Sequence, residues 1–257
     1  SVERVAFAAA PVGVSGRPNL EGVFLTITRT EITLDAADGF RLAREQVLLS
    51  EVSYPEDAKP GKVVASGIVP TAIITLAAKL AKGNETLTLV LDDARVLFRV
   101  GNADLRATLI AGQYPDLARM IPTDSLCAAH AILPVGDLQS AVNTTHAISN
   151  ERIVLVFADN ELTVSVTESE TGDVVGKIPL DTFTVPADTP PLNVRLDPAY
   201  LRDALGAVAS VPVPTGMKRA VEFVMRPVAS DAAPASIMLR VEGAPTWAHV
   251  IMPLAAQ

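Results

Sequence analysis

Residues 23–34 read VFLTITRTEITL and residues 153–166 read IVLVFADNELTVSV, and these two stretches decide the fold. In each of them, two segments of strand-forming residues flank a short polar turn, and apolar and polar side chains alternate in residues 25–28 and 161–166. This is the pattern of a β-hairpin. Glu31 and Glu161 occupy equivalent positions about 130 residues apart. The sequence therefore predicts that the same hairpin occurs twice.

A second pair of segments repeats at nearly the same spacing. Residues 70–80 read PTAIITLAAKL and residues 198–208 read PAYLRDALGAV. Both begin with proline, which is favoured in the first turn of a helix, and both carry apolar residues at helical spacing. Two strands are predicted after each helix: Thr86–Leu91 and Arg95–Val100, then Ala220–Met225 and Ser236–Val241. The repeat predicts two copies of one α+β domain.

The join between the copies is predicted at Ile121–Cys127, which gives a first domain of residues 1–122 and a second of 123–257. The second copy opens with a predicted strand, Ala128–Leu133, and a helix from Pro134 to about Ile148. The first copy lacks that strand and most of that helix, because Ser1–Ala10 matches only the helix's end. We expect the first domain to be incomplete at its N-terminus, with a preceding segment missing.

The composition limits the class of protein. Apolar residues make up 49% of the 257 residues and aromatic residues only 4%, so the core must be aliphatic. A net charge of −8 argues against a globally basic nucleic-acid binder, but it allows a local basic surface. The single cysteine, Cys127, excludes an internal disulfide framework and a cysteine-based zinc site, and it favours a cytoplasmic setting. No apolar run reaches the 18 or so residues that span a membrane.

Six segments carry a resemblance to a known family. They are Arg17–Val23 (RPNLEGV), Asp35–Ala43 (DAADGFRLA), Gly112–Pro122 (GQYPDLARMIP), Ala147–Glu151 (AISNE), Tyr200–Leu205 (YLRDAL) and Met252–Leu254 (MPL). In this order they resemble the bacterial sliding clamp, the beta subunit of DNA polymerase III. The resemblance covers its second and third domains.

The resemblance implies an α+β fold made of two copies of the DNA-clamp domain, each with two helices packed on two antiparallel sheets. In the family, three such domains form a protomer, and protomers close head to tail into a ring with helices lining the hole. The chain would then be a fragment of a ring-forming protomer. A natural two-domain relative would instead need three copies for a six-domain ring, and both readings remain open.

The family binds partner peptides in an apolar pocket between its second and third domains. The matching positions here are Leu20, Gly39, Phe40, Arg41, Leu42, Pro115, Arg119, Met120, Val250, Met252, Pro253 and Leu254. Apolar side chains and methionine suit an adaptable recess, and the two arginines can donate hydrogen bonds. Without the resemblance, the apolar residues of this set would be interpreted as ordinary residues of the hydrophobic core. Three positions depart from the family's pattern. Ala37 stands where the family usually has threonine, Phe40 stands where it usually has histidine or tyrosine, and Ala255–Gln257 stand where its C-terminus often carries a basic residue. We therefore expect a somewhat different peptide preference.

Four cations are expected on the hole-lining helices: Arg4, Lys79, Lys82 and Arg202. They would contact phosphates of double-stranded DNA without reading bases. The helix from Pro134 to Ile148 has no lysine or arginine and carries Asp137, while Lys218–Arg219 can add a loop contact. The alternative is that all of these are ordinary solvated charges.

Catalytic patterns are weak in this sequence. His130, His146 and His249 are far apart, and Gly61-Lys62 lacks the rest of a phosphate-binding loop. Asp92-Asp93 and the pair Glu168/Glu170 are expected in turns. We therefore expect no catalytic residue, no metal and no cofactor.

The resemblance implies a DNA sliding clamp, a non-catalytic processivity factor that tethers the replicative polymerase. The implied partners are double-stranded DNA, the DNA polymerase III alpha subunit, the clamp loader, other clamp-binding-motif proteins and, in the full-length ring, further copies of itself, with no membrane. Two alternatives stay open: a clamp-like scaffold that binds proteins without encircling DNA, and a hydrolase or other enzyme on an unrelated two-domain fold.

Overall fold

The computed structural model describes residues 1–51, 61–83, 86–122, 129–148, 152–168, 172–185, 191–225 and 236–254. The chain divides into two compact units, Ser1–Leu117 and Ala118–Gln257. The division falls a few residues before the predicted domain boundary. Several residues singled out in the sequence lie outside the described parts: Cys127, Ser149–Glu151, Glu170 and Ala255–Gln257.

Unit 1 contains one α-helix and two antiparallel sheets within its described residues. Its elements are β1 (Gly22–Ile27), β2 (Glu31–Ala37), β3 (Arg41–Leu48), β4 (Ala65–Pro70), α1 (Thr71–Ala81), β5 (Thr88–Leu91), β6 (Arg95–Val100) and β7 (Ala103–Thr108). The strands pair in the orders β4-β1-β2-β3 and β5-β6-β7. The predicted hairpin is confirmed as β1 and β2, with Leu25 facing Leu34 across the ladder.

The core of unit 1 is aliphatic, as the composition predicts. The inward face of α1, with Ile74 and Ala77, packs on the apolar faces of both sheets. β1 and β4 approach closely at Gly22, where a Cβ atom would lie 2.6 Å from the carbonyl oxygen of Val69. A side chain at Gly22 would therefore force the two backbones apart.

The first ten residues differ from the predicted helix end. Val2–Arg4 and Ala6–Ala8 form two short 3-10 turns, and Ala9 is already extended. Such a short segment is a poor helix nucleus, and Pro11 disfavours helical geometry at the residue before it. The expectation of a continuing α-helix in this segment is wrong.

Unit 2 contains two α-helices and two antiparallel sheets within its described residues. Its elements are β8 (Ala129–Pro134), α2 (Val135–His146), β9 (Ile153–Ala158), β10 (Glu161–Glu168), β11 (Gly172–Pro179), β12 (Thr182–Thr184), β13 (Leu192–Leu196), α3 (Pro198–Val208), β14 (Ala220–Met225), β15 (Ile237–Val241) and β16 (Ala244–Ile251). The strands pair in the orders β12-β8-β14-β15-β16 and β11-β10-β9-β13.

The second hairpin and both of its neighbouring helices are confirmed. Asp159 and Asn160 have φ of 52° and 61°, the paired left-handed geometry of a tight two-residue hairpin turn between β9 and β10. The predicted helix from Pro134 ends at His146, slightly earlier than expected. The fold class is therefore α+β, with helices packed on antiparallel sheets.

The two units bury the same face of their corresponding helix, although only unit 2 packs a second α-helix against it within the described residues. In unit 2, α2 packs against α3, and Ala204 of α3 is 0% exposed. Counted from the residue before each helix, Pro70 and Asp197, Ala77 of α1 corresponds to Ala204 and is 1% exposed, whereas the neighbouring Leu76 is 43% exposed. Apart from the short turns near the N-terminus, the described part of unit 1 has no helix in the place that α2 takes in unit 2. Both units thus bury an alanine at the corresponding position of this helix.

Among the described residues, no helix is both long enough and apolar enough to cross a membrane.

Candidate functional site

Three segments that carry predicted pocket residues come together within unit 1. The side-chain amide of Asn19 donates a hydrogen bond of 2.8 Å to the carbonyl of Gln113, which joins the RPNLEGV segment to GQYPD. Arg17 lies against the turn between β2 and β3, since a Cβ atom on Gly39 would be 3.3 Å from the arginine Nη1. The fold therefore gathers Leu20, Gly39 and Pro115 from distant parts of the sequence.

The turn between β2 and β3 is held by its aspartate. The Asp38 Oδ1 accepts hydrogen bonds from the backbone amides of Phe40 (2.9 Å) and Arg41 (3.0 Å). Gly39 has a φ of 101°, a conformation that side-chain-bearing residues rarely adopt. The Asp-Gly pair thus fixes where the next residues of the predicted pocket point.

Arg41 supports this turn from the side. Its Nε donates to Asp38 Oδ2 at 3.0 Å, and its Nη2 donates to the carbonyl of Phe7 at 3.0 Å. The guanidinium also lies 5.5 Å from the centre of the Phe7 ring. In this structure Arg41 is a largely buried residue that orders the turn, which argues for a positioning role rather than direct donation to a peptide.

The remaining predicted residues of unit 1 divide into buried and exposed ones. Leu20 and Leu42 are buried, Pro115 is exposed, and the Phe40 side chain is 63% exposed. A large aromatic ring that stands in solvent beside a rigid turn is available for an apolar contact.

Unit 2 contributes the other predicted residues. Val250 is buried near the end of β16, opposite Met238, whereas Met252 and Leu254 are exposed just beyond the strand. The Leu254 amide donates a hydrogen bond of 2.8 Å to the carbonyl of Arg195 in β13, which anchors the segment after β16. Arg119 and Met120 lie exposed in a 3-10 turn, Leu117–Met120.

Tyr114 holds the GQYPD segment to its unit. Its ring stacks on Phe24 with centroids 4.9 Å apart, and its hydroxyl donates a 3.4 Å hydrogen bond to the carbonyl of Asp35. Burial, with a smaller contribution from the negative charge of Asp35, raises the pKa of Tyr114 above its ordinary value of 10.0.

The raised pKa of Tyr114 predicts a loss of stability at alkaline pH. Above about pH 10 the unfolded tyrosine releases its proton while the folded one keeps it, so the free energy of unfolding falls as pH rises further. Tyr114→Phe keeps the stacked ring and should reduce this fall, with a change below about 1 kcal/mol at pH 7. Urea unfolding of both proteins between pH 8 and 11, followed by circular dichroism, measures it. Identical pH profiles would contradict the assignment.

The four predicted DNA-facing cations have different surroundings. Lys79 and Arg202 are exposed on α1 and α3, and Lys82 is exposed just after α1, where its ammonium lies 2.8 Å from the Glu3 carboxylate. The Arg4 guanidinium instead binds the Glu45 carboxylate through both Nε and Nη2, and both side chains are largely buried. Arg4 is therefore poorly placed to contact phosphate.

Neighbouring charges do not strengthen a basic face. Asp137 is exposed in the first turn of α2, a helix without lysine or arginine. Arg219 donates hydrogen bonds to the carbonyls of Val208 and Val211 at the end of α3. It thus caps a helix C-terminus, where a cation is favoured, rather than forming the loop contact considered above.

Groups that suggest catalysis have local explanations. Asp92 accepts hydrogen bonds from the amides of Ala94 and Arg95 in the turn between β5 and β6. His130 pairs with Glu222 at 2.9 Å, and Glu222 also binds Arg240. Within the described ranges, no group of three or more His, Cys, Asp or Glu side chains is placed to hold a metal ion.

Arg17, Asn19 and Arg195 are positioning residues that the sequence did not single out. Arg17 and Asn19 lie inside the RPNLEGV segment, so their contacts could have been sought there. Arg195 acts through its backbone carbonyl, which leaves no trace in the residue type.

A family model and several curated relatives match this chain. Residues 1–116 match the family described as DNA polymerase III beta subunit, central domain. The chain is 27% identical over 195 residues to the beta sliding clamp of Bacillus subtilis, covering 74% of this chain and 48% of that protein. It is 30% identical over 185 residues to the beta sliding clamp of Caulobacter vibrioides, covering 70% and 45%. The chain thus spans about half the length of the curated relatives it matches.

Solved structures share the fold. The DNA polymerase sliding clamp of Bacillus subtilis superposes with a TM-score of 0.81 at 21% identity, covering 100% of this chain and 61% of that one. The DNA polymerase III subunit beta of Pseudomonas aeruginosa gives 0.80 at 22% identity, covering 98% and 62%.

Proposed function

We propose that this chain, a relative of the bacterial beta sliding clamps, comprises the second and third clamp domains of a processivity factor. In the full-length ring, this factor would encircle duplex DNA and tether the replicative polymerase and other partners, without chemistry of its own. The cytoplasm is the proposed location. The observation that carries the proposal is the way unit 1 gathers the segments RPNLEGV, DGFRL and GQYPD, which are far apart in sequence and match the family in order.

We propose that the predicted residues of unit 1 and those of unit 2 take part in binding partner peptides. The exposed apolar side chains at Phe40, Met120, Met252 and Leu254 supply apolar surface, and Leu42 and Val250 are buried in their own units. Methionine adapts to different ligands because its thioether chain is flexible and polarizable. A short linear motif with apolar side chains is the kind of ligand that this set suits.

Met252→Ala should weaken binding of a fluorescein-labelled clamp-binding-motif peptide by about tenfold, since the lost apolar contact is worth about 1.4 kcal/mol. Fluorescence anisotropy on the purified chain measures the affinity. Met217→Ala is the matched control, because Met217 is 40% exposed and Met252 is 37% exposed, and Met217 lies outside the predicted set.

Two outcomes would contradict the pocket proposal. One is an unchanged affinity of the Met252→Ala protein, and the other is an equal loss in the Met217→Ala protein. Arg119→Ala provides a second variant at the predicted site, in the turn after Tyr114.

The DNA contacts are proposed to be few and electrostatic. Lys79 and Arg202 are exposed cations on the proposed hole-lining helices, and Lys82 lies just after α1, paired with Glu3. Arg4 is bound to Glu45, and α2 has no lysine or arginine. Few phosphate contacts mean weak affinity and a shallow dependence on salt, so retention would depend on enclosure. Full-length protein loaded on nicked circular DNA should stay bound and leave after linearisation. Equal release from both forms would favour the scaffold that does not encircle DNA.

A further inference from the structure

The outward face of the sheet β5-β6-β7 is basic although the chain has a net charge of −8. The opposite face, with Val96 and Phe98, packs in the core of unit 1. Because successive side chains in a strand point to opposite faces, the ladder places one set of residues outward. That set is Thr88 and Val90 on β5, Arg95, Leu97 and Arg99 on β6, and Asp104, Arg106 and Thr108 on β7.

Asp104 organises the guanidinium groups on this face. Its carboxylate accepts hydrogen bonds from Arg99 Nε (2.8 Å) and Nη2 (3.0 Å), and a longer one of 3.3 Å from Arg106. The hydrogen bond from Arg99 holds the pKa of Asp104 below its ordinary value, so the carboxylate stays ionised at neutral pH. The Arg106 side chain keeps 75% of its surface exposed, which leaves its remaining donors accessible.

An apolar strip lies between the arginines. Val90 faces Leu97 across the ladder, and Leu97 faces Arg106. The Val90 side chain is exposed and Leu97 is half-buried. Arg95 and Arg99 lie on either side of Leu97 along β6, about 13 Å apart. Basic groups thus flank an apolar centre on a pleated surface.

We infer that this face, named here the arginine face (Val90, Arg95, Leu97, Arg99, Arg106), docks an acidic segment of a partner protein that also carries apolar side chains. The face carries three guanidinium groups against the carboxylate of Asp104, and Asp92 in the adjoining turn adds one more carboxylate near Arg95. The remaining excess of positive charge selects carboxylates by charge complementarity. The apolar centre and the central Asp104 favour a protein segment over a nucleic acid, since phosphates would meet a carboxylate and gain nothing from Val90. The inference concerns a surface separate from the proposed peptide pocket and does not depend on it.

The probe is a fluorescein-labelled peptide in which glutamate alternates with valine over about ten residues, matching the two-residue period of a strand. We expect it to bind the purified chain, with Arg106→Glu or Arg95→Glu weakening affinity about fivefold to tenfold and Val90→Ser about threefold. Lys177→Glu is the matched control: the exposed Lys177 lies on β11 of unit 2, and its replacement changes the net charge equally.

Three results would overturn the inference. They are no binding of the probe, equal weakening by Lys177→Glu, and tighter binding of a single-stranded oligonucleotide that Arg106→Glu weakens while Val90→Ser does not. The last result would assign the face to nucleic acid. Loss of probe binding in the arginine and valine variants, with the Lys177→Glu protein unchanged, would support the inference.

Discussion

Glu45→Ala is expected to lower the free energy of unfolding of unit 1 by about 3–5 kcal/mol, because it leaves the guanidinium of Arg4 in a low-dielectric site without its carboxylate. The two side chains expose only 13% (Arg4) and 6% (Glu45) of their surfaces. They come from the N-terminal turn and from β3, so the pair joins segments that are distant in sequence. Hydrogen exchange of β2 and β3 amides, read by mass spectrometry, reports the loss in this unit.

Glu161→Gln is the control for this prediction. Glu161 pairs with Lys177 at 2.8 Å, but in solvent, with 39% and 65% of the two side chains exposed. Exposed pairs contribute about 0–1 kcal/mol, so this variant should be nearly neutral. The double variant Arg4→Met/Glu45→Leu removes both charges and should recover most of the stability. Equal small effects of Glu45→Ala and Glu161→Gln would contradict the structural role of the Arg4–Glu45 pair.

Ala204→Gln is expected to lower the free energy of unfolding of unit 2 by about 3–5 kcal/mol. The larger side chain would overpack the core, and its amide group would be buried without hydrogen-bond partners. Ala204 is 0% exposed on α3, a helix that packs against α2, β15 and β16. The chain's only tryptophan, Trp247, is buried in β16, so its fluorescence during urea unfolding reports this unit.

Leu76→Gln is the control: it places the same side chain at an exposed position of α1 in unit 1, so it should cost less than about 1 kcal/mol. Its effect is read by hydrogen exchange of α1 amides. Comparable losses in the two variants would contradict the prediction that burial of Ala204 makes its replacement costly.

The hairpins and helices could be predicted because their signals are local. Alternation over residues 23–34 and helical spacing over 198–208 report burial on one face, and Asp159-Asn160 provide the turn geometry that a tight hairpin needs. Each of these patterns also occurs twice in the sequence, about 130 residues apart, which supports the prediction of a repeated domain. The N-terminal segment was predicted less well, because apolar residues at helical spacing do not distinguish a 3-10 turn from an α-helix end over ten residues.

The candidate site was harder to predict because its contacts are long-range. Nothing local pairs Arg4 with Glu45, or Asn19 with Gln113. The motif correctly predicts that Arg41 lies in the turn beside Gly39. The contacts of Arg41 with the ring and the carbonyl of Phe7 depend on how the N-terminal turns pack against β3, which the motif does not contain. An arginine in a binding motif, such as Arg41, can therefore stabilise the structure of the site rather than contact a ligand.

The arrangement of cations also bears on how such a protein would hold DNA. With Arg4 neutralised by Glu45 and Arg219 capping α3, the exposed positive charge on the proposed inner helices reduces to a few side chains. Weak phosphate contacts permit sliding, since each contact breaks at little cost.

The central claim is that these two units form the peptide-binding part of a sliding clamp, and a methyl NMR titration with the clamp-binding-motif peptide tests it most directly. The account predicts saturable shift changes at Leu42 in unit 1 and at Val250 and Met252 in unit 2, with a single affinity. Val175, exposed on β11 outside the predicted set, should not shift. Saturation with changes confined to other surfaces, or no change at any of the three residues, would contradict the claim.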